Sequence, residues 1–527
     1  MHENSPLEKA RLAFVPALPT QLKSLKELKF EKKERSSPDA KEILPLFPLT
    51  QGRPLFEAKQ GSSRKTRKLR VGVVFSGGQA AGGHNVIAGL LDGLLLLDPE
   101  SQLFGFLGGP SGIIEGKSKP LTKESVAAYR NLGGFDLIGS GRTKIETEEQ
   151  LEAAFQTVQN LDALVIVGGD DSNTNAAVLS EYLLKKKSKT CVIGVPKTID
   201  GDLKNSDVAT SFGFDTACKT YSELIGNIAR DAKSAKKYTH FIKLMGRSAS
   251  HIALECALST RANLTLIGEE VAAKKMTLSQ VAELVADVVC KRADKGLNYG
   301  VILIPEGLIE FIPEIGELIA ELSQDQRASA EKLTPKMRSV FESLPKDLQQ
   351  QLLLERDPHG NVQVSMIETE KLLIYSTQKE LKKRGFKGKF AAQSHFFGYE
   401  GRAALPSNFD AHYCYSLGVL AALLADEGLT GYMTAVGNLH LLVSDWSVKA
   451  LPITMLMHME MRSGKRKPVI QKALVDLKGR AFQAFEKERA EWAESDIYRY
   501  PGPIQFFGGS ALTDAPPLTL QIENGKN

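Results

Sequence analysis

Leu164-Val-Ile-Val-Gly-Gly-Asp-Asp-Ser172 is an apolar run that breaks into glycines and acids. Val192-Ile-Gly-Val-Pro-Lys-Thr-Ile-Asp-Gly-Asp-Leu-Lys-Asn205 repeats the pattern one strand–helix unit later. A continuous β-branched run is the mark of a parallel strand buried on both faces. Small and acidic residues directly after such a run place a loop at the carboxyl end of the strand, where ligands of open α/β sheets bind. The two stretches therefore predict an α/β fold with a doubly wound, parallel-rich sheet.

The same pattern extends in both directions. Upstream, Leu69-Arg-Val-Gly-Val-Val-Phe75 runs into Ser76-Gly-Gly-Gln-Ala-Ala-Gly-Gly-His84, and a helix is expected over 85–97. A strand, a glycine-rich turn and a helix N-terminus together present backbone N–H groups to an anion. Leu103-Phe-Gly-Phe-Leu107 reads as the next strand, and Gly139-Ser-Gly-Arg142 is a further small-residue loop that carries an arginine. Downstream the pattern renews. A long helix is expected over 216–233, then strands at 240–244, 264–267 and 300–304, with a helix over 278–291 between the last two. Alternation of this kind gives a second Rossmann-like domain.

Four blocks follow. Residues 1–68 form an N-terminal arm, with a short helix expected at 21–32; 69–210 form a first α/β domain. Residues 211–430 form a second α/β domain with a helical insertion at about 312–382 and an amphipathic helix at 410–426. Residues 431–527 are a C-terminal extension packing on the body.

Composition narrows the classes. The chain has 527 residues, enough for more than one core, and a formal net charge of +5. Part of the excess lies in Arg64-Lys-Thr-Arg-Lys-Leu-Arg70, which reads as a solvated linker. It has no interleaved aromatics, so no nucleic-acid partner is expected. Five widely spaced cysteines without metal-ligand spacing read as reduced thiols. No apolar run approaches membrane length, so no membrane partner is expected, and a cytoplasmic location is.

The chemistry concentrates in the opening stretches. No Walker loop or dinucleotide-binding glycine fingerprint is present: Gly112-Ile-Ile-Glu-Gly-Lys-Ser118 is one residue short of the spacing. Asp170, Asp171, Asp200 and Asp202 follow adjacent strands. One acid at such a place is often a helix cap. Four repel one another, and Mg²⁺ bridging phosphate oxygens is a natural offset. Lys197 sits among them, as a salt-bridge partner or as a cation stabilising a phosphoryl group in transfer. His251 and Glu255 are spaced i, i+4 on a helix, but with no third ligand in view a buried or capping role is favoured.

Taken together, Phe75-Ser-Gly-Gly-Gln79, Gly168-Gly-Asp-Asp-Ser172, Pro196-Lys-Thr-Ile-Asp-Gly-Asp202, Met245-Gly-Arg247, Pro305-Glu-Gly307 and Gly398-Tyr-Glu-Gly-Arg402 resemble the phosphofructokinase family, specifically its pyrophosphate-dependent branch and the long subgroup within it. The resemblance covers about residues 71–430. It implies that Gly77 and Gly78, with Arg142, cradle pyrophosphate, and that Asp170 binds Mg²⁺. Thr198, Ile199 and Asp200 would hold the sugar, with Asp200 taking the proton from its 1-hydroxyl. Met245, Gly246, Arg247, Glu306, Tyr399, Glu400, Gly401 and Arg402 would bind fructose 6-phosphate. Lys237 and Tyr238 would reach a partner subunit's sugar site, which implies a homodimer with a shared active site. The expected products are fructose 1,6-bisphosphate and phosphate.

In the ATP-using branch the positions of Asp171 and Lys197 are typically glycine. An aspartate fills the space behind the two terminal phosphates and sets a negative charge against a nucleotide's α-phosphate, while lysine supplies charge to the smaller donor. Both changes are present here. One departure is Tyr399, which stands where ATP-dependent bacterial members carry histidine, with Arg402 kept. The rival readings are an ATP-dependent enzyme and a non-catalytic regulatory subunit of a heteromeric one. The intact Asp170, Lys197 and Asp200 count against the latter.

Overall fold

The computed structural model describes residues 6–34, 39–63, 65–323, 330–354, 362–462, 465–504 and 516–525. Arg64 of the basic patch and parts of the helical insertion (324–329 and 355–361) lie outside the described residues. The chain divides into two units, and neither is contiguous. The first comprises Met1–Ala217, Arg402–Ala473 and Gln505–Pro516; the second comprises Cys218–Gly401, Leu474–Ile504 and Pro517–Asn527.

The first unit is built on a nine-stranded sheet. Its strands are β1 (Leu28–Lys33), β2 (Leu55–Gln60), β3 (Arg70–Phe75), β4 (Gln102–Phe106), β5 (Ser118–Leu121), β6 (Ala163–Gly168) and β7 (Cys191–Pro196). After the chain has passed through the second unit it adds β12 (Tyr432–Gly437) and β13 (Ser447–Pro452). The order is β1-β2-β13-β12-β7-β6-β3-β4-β5. The centre, β12-β7-β6-β3-β4, is parallel, and the strands outside it pair antiparallel. Every residue of β6 and β7 is buried, as their unbroken apolar runs require. A hairpin, β14 (Met457–Arg462) and β15 (Lys465–Ile470), follows β13.

Two expectations are corrected in this unit. The predicted helix at 21–32 is instead two short 3-10 turns, Thr20–Lys23 and Leu25–Glu27, followed by β1. Leu28-Lys-Phe-Glu-Lys-Lys33 takes the extended form because its backbone pairs along the whole of β2, a partner that local helix propensity does not register. The arm thus supplies the edge of the sheet. The helix at the predicted amphipathic segment spans Asn408–Asp426, and it is buried on almost every face. It packs on the Gly83–Leu97 helix, and a Cβ at Gly89 would overlap the carbonyl of Tyr415, as one at Gly418 would that of Val86. The small residues let the two backbones touch, which leaves no solvent face.

The second unit carries a four-stranded, wholly parallel sheet in the order β11-β8-β10-β9. The strands are β8 (Tyr238–Leu244), β9 (Leu264–Thr265), β10 (Tyr299–Pro305) and β11 (Ala392–Phe397). The insertion helices share its core: Leu318, Leu348 and Leu373 cluster with Phe241 and Ile304 of the sheet. Lys243 of β8 is buried, donates to the Ile367 carbonyl at 2.9 Å and lies 3.5 Å from Glu370. The i, i+4 pair His251 and Glu255 begins the His251–Thr260 helix. Both Glu255 oxygens accept from the first N–H groups of the Leu518–Glu523 helix, Leu518 at 2.8 Å and Thr519 at 2.9 Å, so this acid is a helix cap. Among the described residues no helix is long and apolar enough to cross a membrane.

Candidate active site

The carboxyl ends of β3, β6 and β7 bring the donor-side residues together in the first unit. At the end of β3 the chain turns through Gly77, whose φ of +90° favours glycine. The turn is tied down by Ser76 N donating to the Val167 carbonyl at 2.9 Å and Gly77 N to the Gly141 carbonyl at 2.8 Å. A Cβ on Gly77 would lie 3.1 Å from Lys197 Nζ. One on Gly78 would lie 3.5 Å from Arg402 Nη1 and 3.8 Å from Arg142 Nη2. The two glycines thus leave their backbone open beside three cations. Ser172 and Ser76 join across this turn by a 2.8 Å hydroxyl pair.

Asp170 and Asp171 are the first residues of the Asp170–Lys185 helix, where the helix dipole favours negative charge. Asp171 points outward, about half exposed, with Lys144 Nζ at 4.0 Å from its Oδ1. Asp170 is largely covered, and its Oδ2 is buried without a hydrogen bond. Lys472 Nζ stands 3.5 Å from that oxygen and 3.9 Å from Oδ2 of Asp202.

Lys197 leaves β7 with its backbone N–H on the Gly168 carbonyl at 2.9 Å and its side chain buried. Burial pulls its amine down from 10.5 to about 8, against the attraction of Asp200 and Asp170 and with the repulsion of Arg142 and Arg402. Thr198 Oγ1 accepts from Asp200 N at 3.1 Å, which holds the loop that carries Asp200, and Ile199 is buried beneath it. Asp202 is buried, and this lifts its carboxyl to about 7, aided by the charge of Asp200, opposed by Lys472 and aided again by Asp170.

Among the described residues no three or more His, Cys, Asp or Glu side chains form a ready metal cage. The donor set still fits Mg²⁺. That ion takes one or two carboxylates and completes its shell with water and substrate phosphate oxygens. A buried carboxylate oxygen lacking a hydrogen bond at Asp170 is an available ligand.

The remaining predicted residues lie in the second unit, apart from Arg402, whose place is in the first. Met245-Gly246-Arg247 follows β8, and Glu306 follows β10, the neighbouring strand. Gly246 N donates to Glu306 Oε2 at 2.8 Å. Burial raises the Glu306 carboxyl, opposed by that N–H and by the charges of Lys243 and Arg247. Tyr399, Glu400 and Gly401 follow β11, on the other side of β8. Gly398 N donates to Glu400 Oε2 at 3.0 Å, and Tyr221 Oη donates to the Gly398 carbonyl at 2.6 Å. Tyr399 is 61% exposed. Lys237 is exposed, and its ammonium lies 5.1 Å from the ring centre of Tyr238, itself held at a φ of 73°. Two carboxyl-end loop clusters result, one rich in acids and cations around the buried Lys197 and one rich in polar groups around Gly246.

The structure brings Ser172 and Lys472 to this neighbourhood, which the sequence did not single out. Asp202 was visible as one of the strand-end acids. Lys472 gives no local signal, because it lies far along the chain and outside any strand-end motif.

Glycine turns beside a buried lysine and two arginines, an acid-tipped helix and a parallel sheet are the makings of a phosphoryl-transfer site. Residues 70–425 match the phosphofructokinase family, and the chain belongs to it. It is 51% identical to the pyrophosphate–fructose 6-phosphate 1-phosphotransferase of Porphyromonas gingivalis, over 98% of this chain and 99% of that protein. It is 54% identical to the protein of the same name from Treponema pallidum, over 91% of this chain and 89% of that one. The fold is that of a pyrophosphate-dependent phosphofructokinase from Nitrosospira multiformis, with a TM-score of 0.56 at 15% identity over 85% of this chain and 97% of that one.

Proposed function

We propose that this chain is a pyrophosphate-dependent 6-phosphofructokinase. It moves a phosphoryl group from pyrophosphate to the 1-hydroxyl of fructose 6-phosphate, and releases fructose 1,6-bisphosphate and phosphate. One observation carries the reading: Lys197 is buried beside the open backbone of Gly77, with Asp171 on the adjacent helix turn. The ammonium supplies charge to a compact donor, while Asp171 sets a carboxylate where a nucleotide would continue. Its acid, base and lysine are all intact, which favours a catalytic chain over a regulatory one.

The roles follow from placement. Gly78 offers its N–H group to the donor, and Gly77, whose own N–H is held by the Gly141 carbonyl, keeps the turn clear of a Cβ; Arg142, Arg402 and Lys197 flank them. Asp200 accepts the proton of the sugar's 1-hydroxyl as that oxygen bonds to the terminal phosphorus. The bridging P–O bond breaks, and its electron pair leaves with phosphate, where Lys197 offsets the charge. Thr198 and Ile199 hold the loop that presents Asp200. Mg²⁺, held by Asp170 with Asp202 close by, supplies charge neutralisation on the donor's oxygens when bound. Met245, Gly246, Arg247, Glu306, Tyr399, Glu400 and Gly401 take fructose 6-phosphate. Lys237 and Tyr238 serve a partner's sugar site in a cytoplasmic homodimer.

A phosphoanhydride is exchanged for an ester without nucleotide turnover, so the reaction runs in both directions. The test is a coupled assay with pyrophosphate and ATP side by side. Product from pyrophosphate and little from ATP is expected; product from ATP alone sinks the proposal.

A further inference from the structure

We infer that Asp410 is a positioning residue of the transfer reaction: through the segment 210–216 it fixes where the loop from Lys197 to Asp200 stands against the glycine turn after β3. The inference rests on the roles of Lys197, Asp200 and that turn in the proposed function, and its parts all lie in the first unit. Asp410 is in the first turn of the Asn408–Asp426 helix and is fully buried. Its Oδ1 accepts from Gly213 N at 3.0 Å, and its Oδ2 from Thr216 N at 2.9 Å and Thr216 Oγ1 at 2.5 Å. These are open N–H groups at the start of the Phe214–Ala235 helix, so a side chain 197 residues away caps it. Burial raises the Asp410 carboxyl to about 7, aided by the charge of Asp215 and opposed by these donors. A local side chain has no room to do the same. Gly213 stands at the capping position with a φ of +90°, and a Cβ there would lie 2.6 Å from Ala80 Cβ and 3.3 Å from Ile199 Cγ2. The chain must pass bare between the donor turn and the Asp200 loop, and the cap comes from elsewhere.

The rest of the segment is tied to that loop directly. Ser211 Oγ donates to the Thr198 carbonyl at 2.7 Å, and Phe212 forms a parallel bridge with Lys197. Tyr413, three residues on from Asp410, donates its hydroxyl to the Thr210 carbonyl at 2.7 Å. The same helix also meets the donor turn, where a Cβ on Gly82 would overlap Cys414 Sγ. One helix thus seats the donor turn with Cys414 and, through 210–216, the base loop with Asp410 and Tyr413. A carboxylate accepts on both oxygens at once, whereas a carboxamide would turn its NH₂ toward Gly213 N or Thr216 N. Phosphoryl transfer depends on the gap between the sugar oxygen that Asp200 serves and the donor phosphorus, and a misplacement near 1 Å costs about 10²-fold. A change at Asp410 therefore acts on turnover, while the groups that bind each substrate stay in place.

The test is steady-state kinetics with pyrophosphate and fructose 6-phosphate on full-length wild type, D410N, S211A and D410N/S211A, with E255A as a helix cap lost elsewhere. D410N is expected to lower kcat about 30- to 100-fold and S211A about tenfold, with both KM values within about threefold of wild type. Because the two act through one segment, the double variant is expected within about threefold of D410N. E255A is expected to keep kcat. A folded D410N with kcat within about twofold of wild type overturns the inference, as does a loss confined to KM, an equal kcat loss in E255A, or losses that multiply in the double variant. If D410N does not fold, S211A and Y413F decide, and kcat within about twofold of wild type in both overturns it. Hydrogen exchange read by mass spectrometry needs no activity. Peptides spanning 197–213 are expected to exchange several-fold faster in D410N, or in S211A if D410N does not fold, than in wild type, with β4 unchanged; equal rates overturn the inference. Wild type without turnover on pyrophosphate instead removes the functional reading, and the exchange result then decides the hold of Asp410 by itself.

Discussion

Replacing Lys197 by methionine should make the protein more stable and nearly inactive, two effects that a merely structural lysine would not combine. Methionine keeps the stem and removes the charge. The amine of Lys197 is drawn from 10.5 to about 8, so the folded protein disfavours its charged form by about 3 kcal/mol. Because this lysine is buried, that figure stands without a discount for solvent. The sign follows from proton linkage. The folded value lies below the unfolded one, so the unfolded chain binds the extra proton between about pH 8 and 10.5. The penalty is fully present below about pH 8 and is relieved as pH rises toward 10.5. Urea unfolding at pH 7 should therefore find K197M as stable as wild type or more so, by up to about 3 kcal/mol, with the difference shrinking by pH 10. Pyrophosphate turnover should fall about 10³-fold, mostly in kcat, as for loss of a group that stabilises charge in transfer. Destabilisation above about 1 kcal/mol at pH 7 would refute the electrostatic account. A raised KM with kcat intact would refute the catalytic one.

Three further outcomes are expected. D171G combined with K197G should gain measurable ATP-dependent product; none at high ATP argues against exclusion by these two side chains. In wild type, kcat/KM for pyrophosphate should stay level up to about pH 8 and fall above it as Lys197 loses its proton, and the residual activity of K197M should show no such limb. E255A removes both acceptors at the start of the Leu518–Glu523 helix, and should lower unfolding stability by about 1–2 kcal/mol, with pyrophosphate KM unchanged.

The donor side was legible because its chemistry follows buried parallel strands. Residues such as Val165 and Ile193 have no solvent face, so their runs stand out, and the loops after them are unambiguous. The sugar-side motifs after β8 and β10 were legible for the same reason, whereas β11 is only partly covered. What escaped was everything decided by distant packing. Leu28–Lys33 reads as a helix to local propensity but is a strand because β2 lies beside it. Asn408–Asp426 looks amphipathic until the Gly83–Leu97 helix covers its remaining face. Nothing around Lys472 hints that the turn after β15 carries it to Asp170. The units themselves are discontinuous, where contiguous blocks were expected, because β12 returns to pair with β7.

The strand order has a consequence for how the chain is made. The β1–β2 pair leaves the ribosome well before its inner neighbour β13, which begins about 390 residues later. At 5–20 residues per second that is a wait of roughly 20–80 s. Throughout it the edge of β2 that β13 will take has no strand to pair with, and such an edge invites strands from other nascent chains. A molecule with β1–β2 moved to its C-terminus would complete the sheet almost as soon as β13 emerged. Newly synthesised wild-type protein should accordingly depend more on chaperones than that rearranged form.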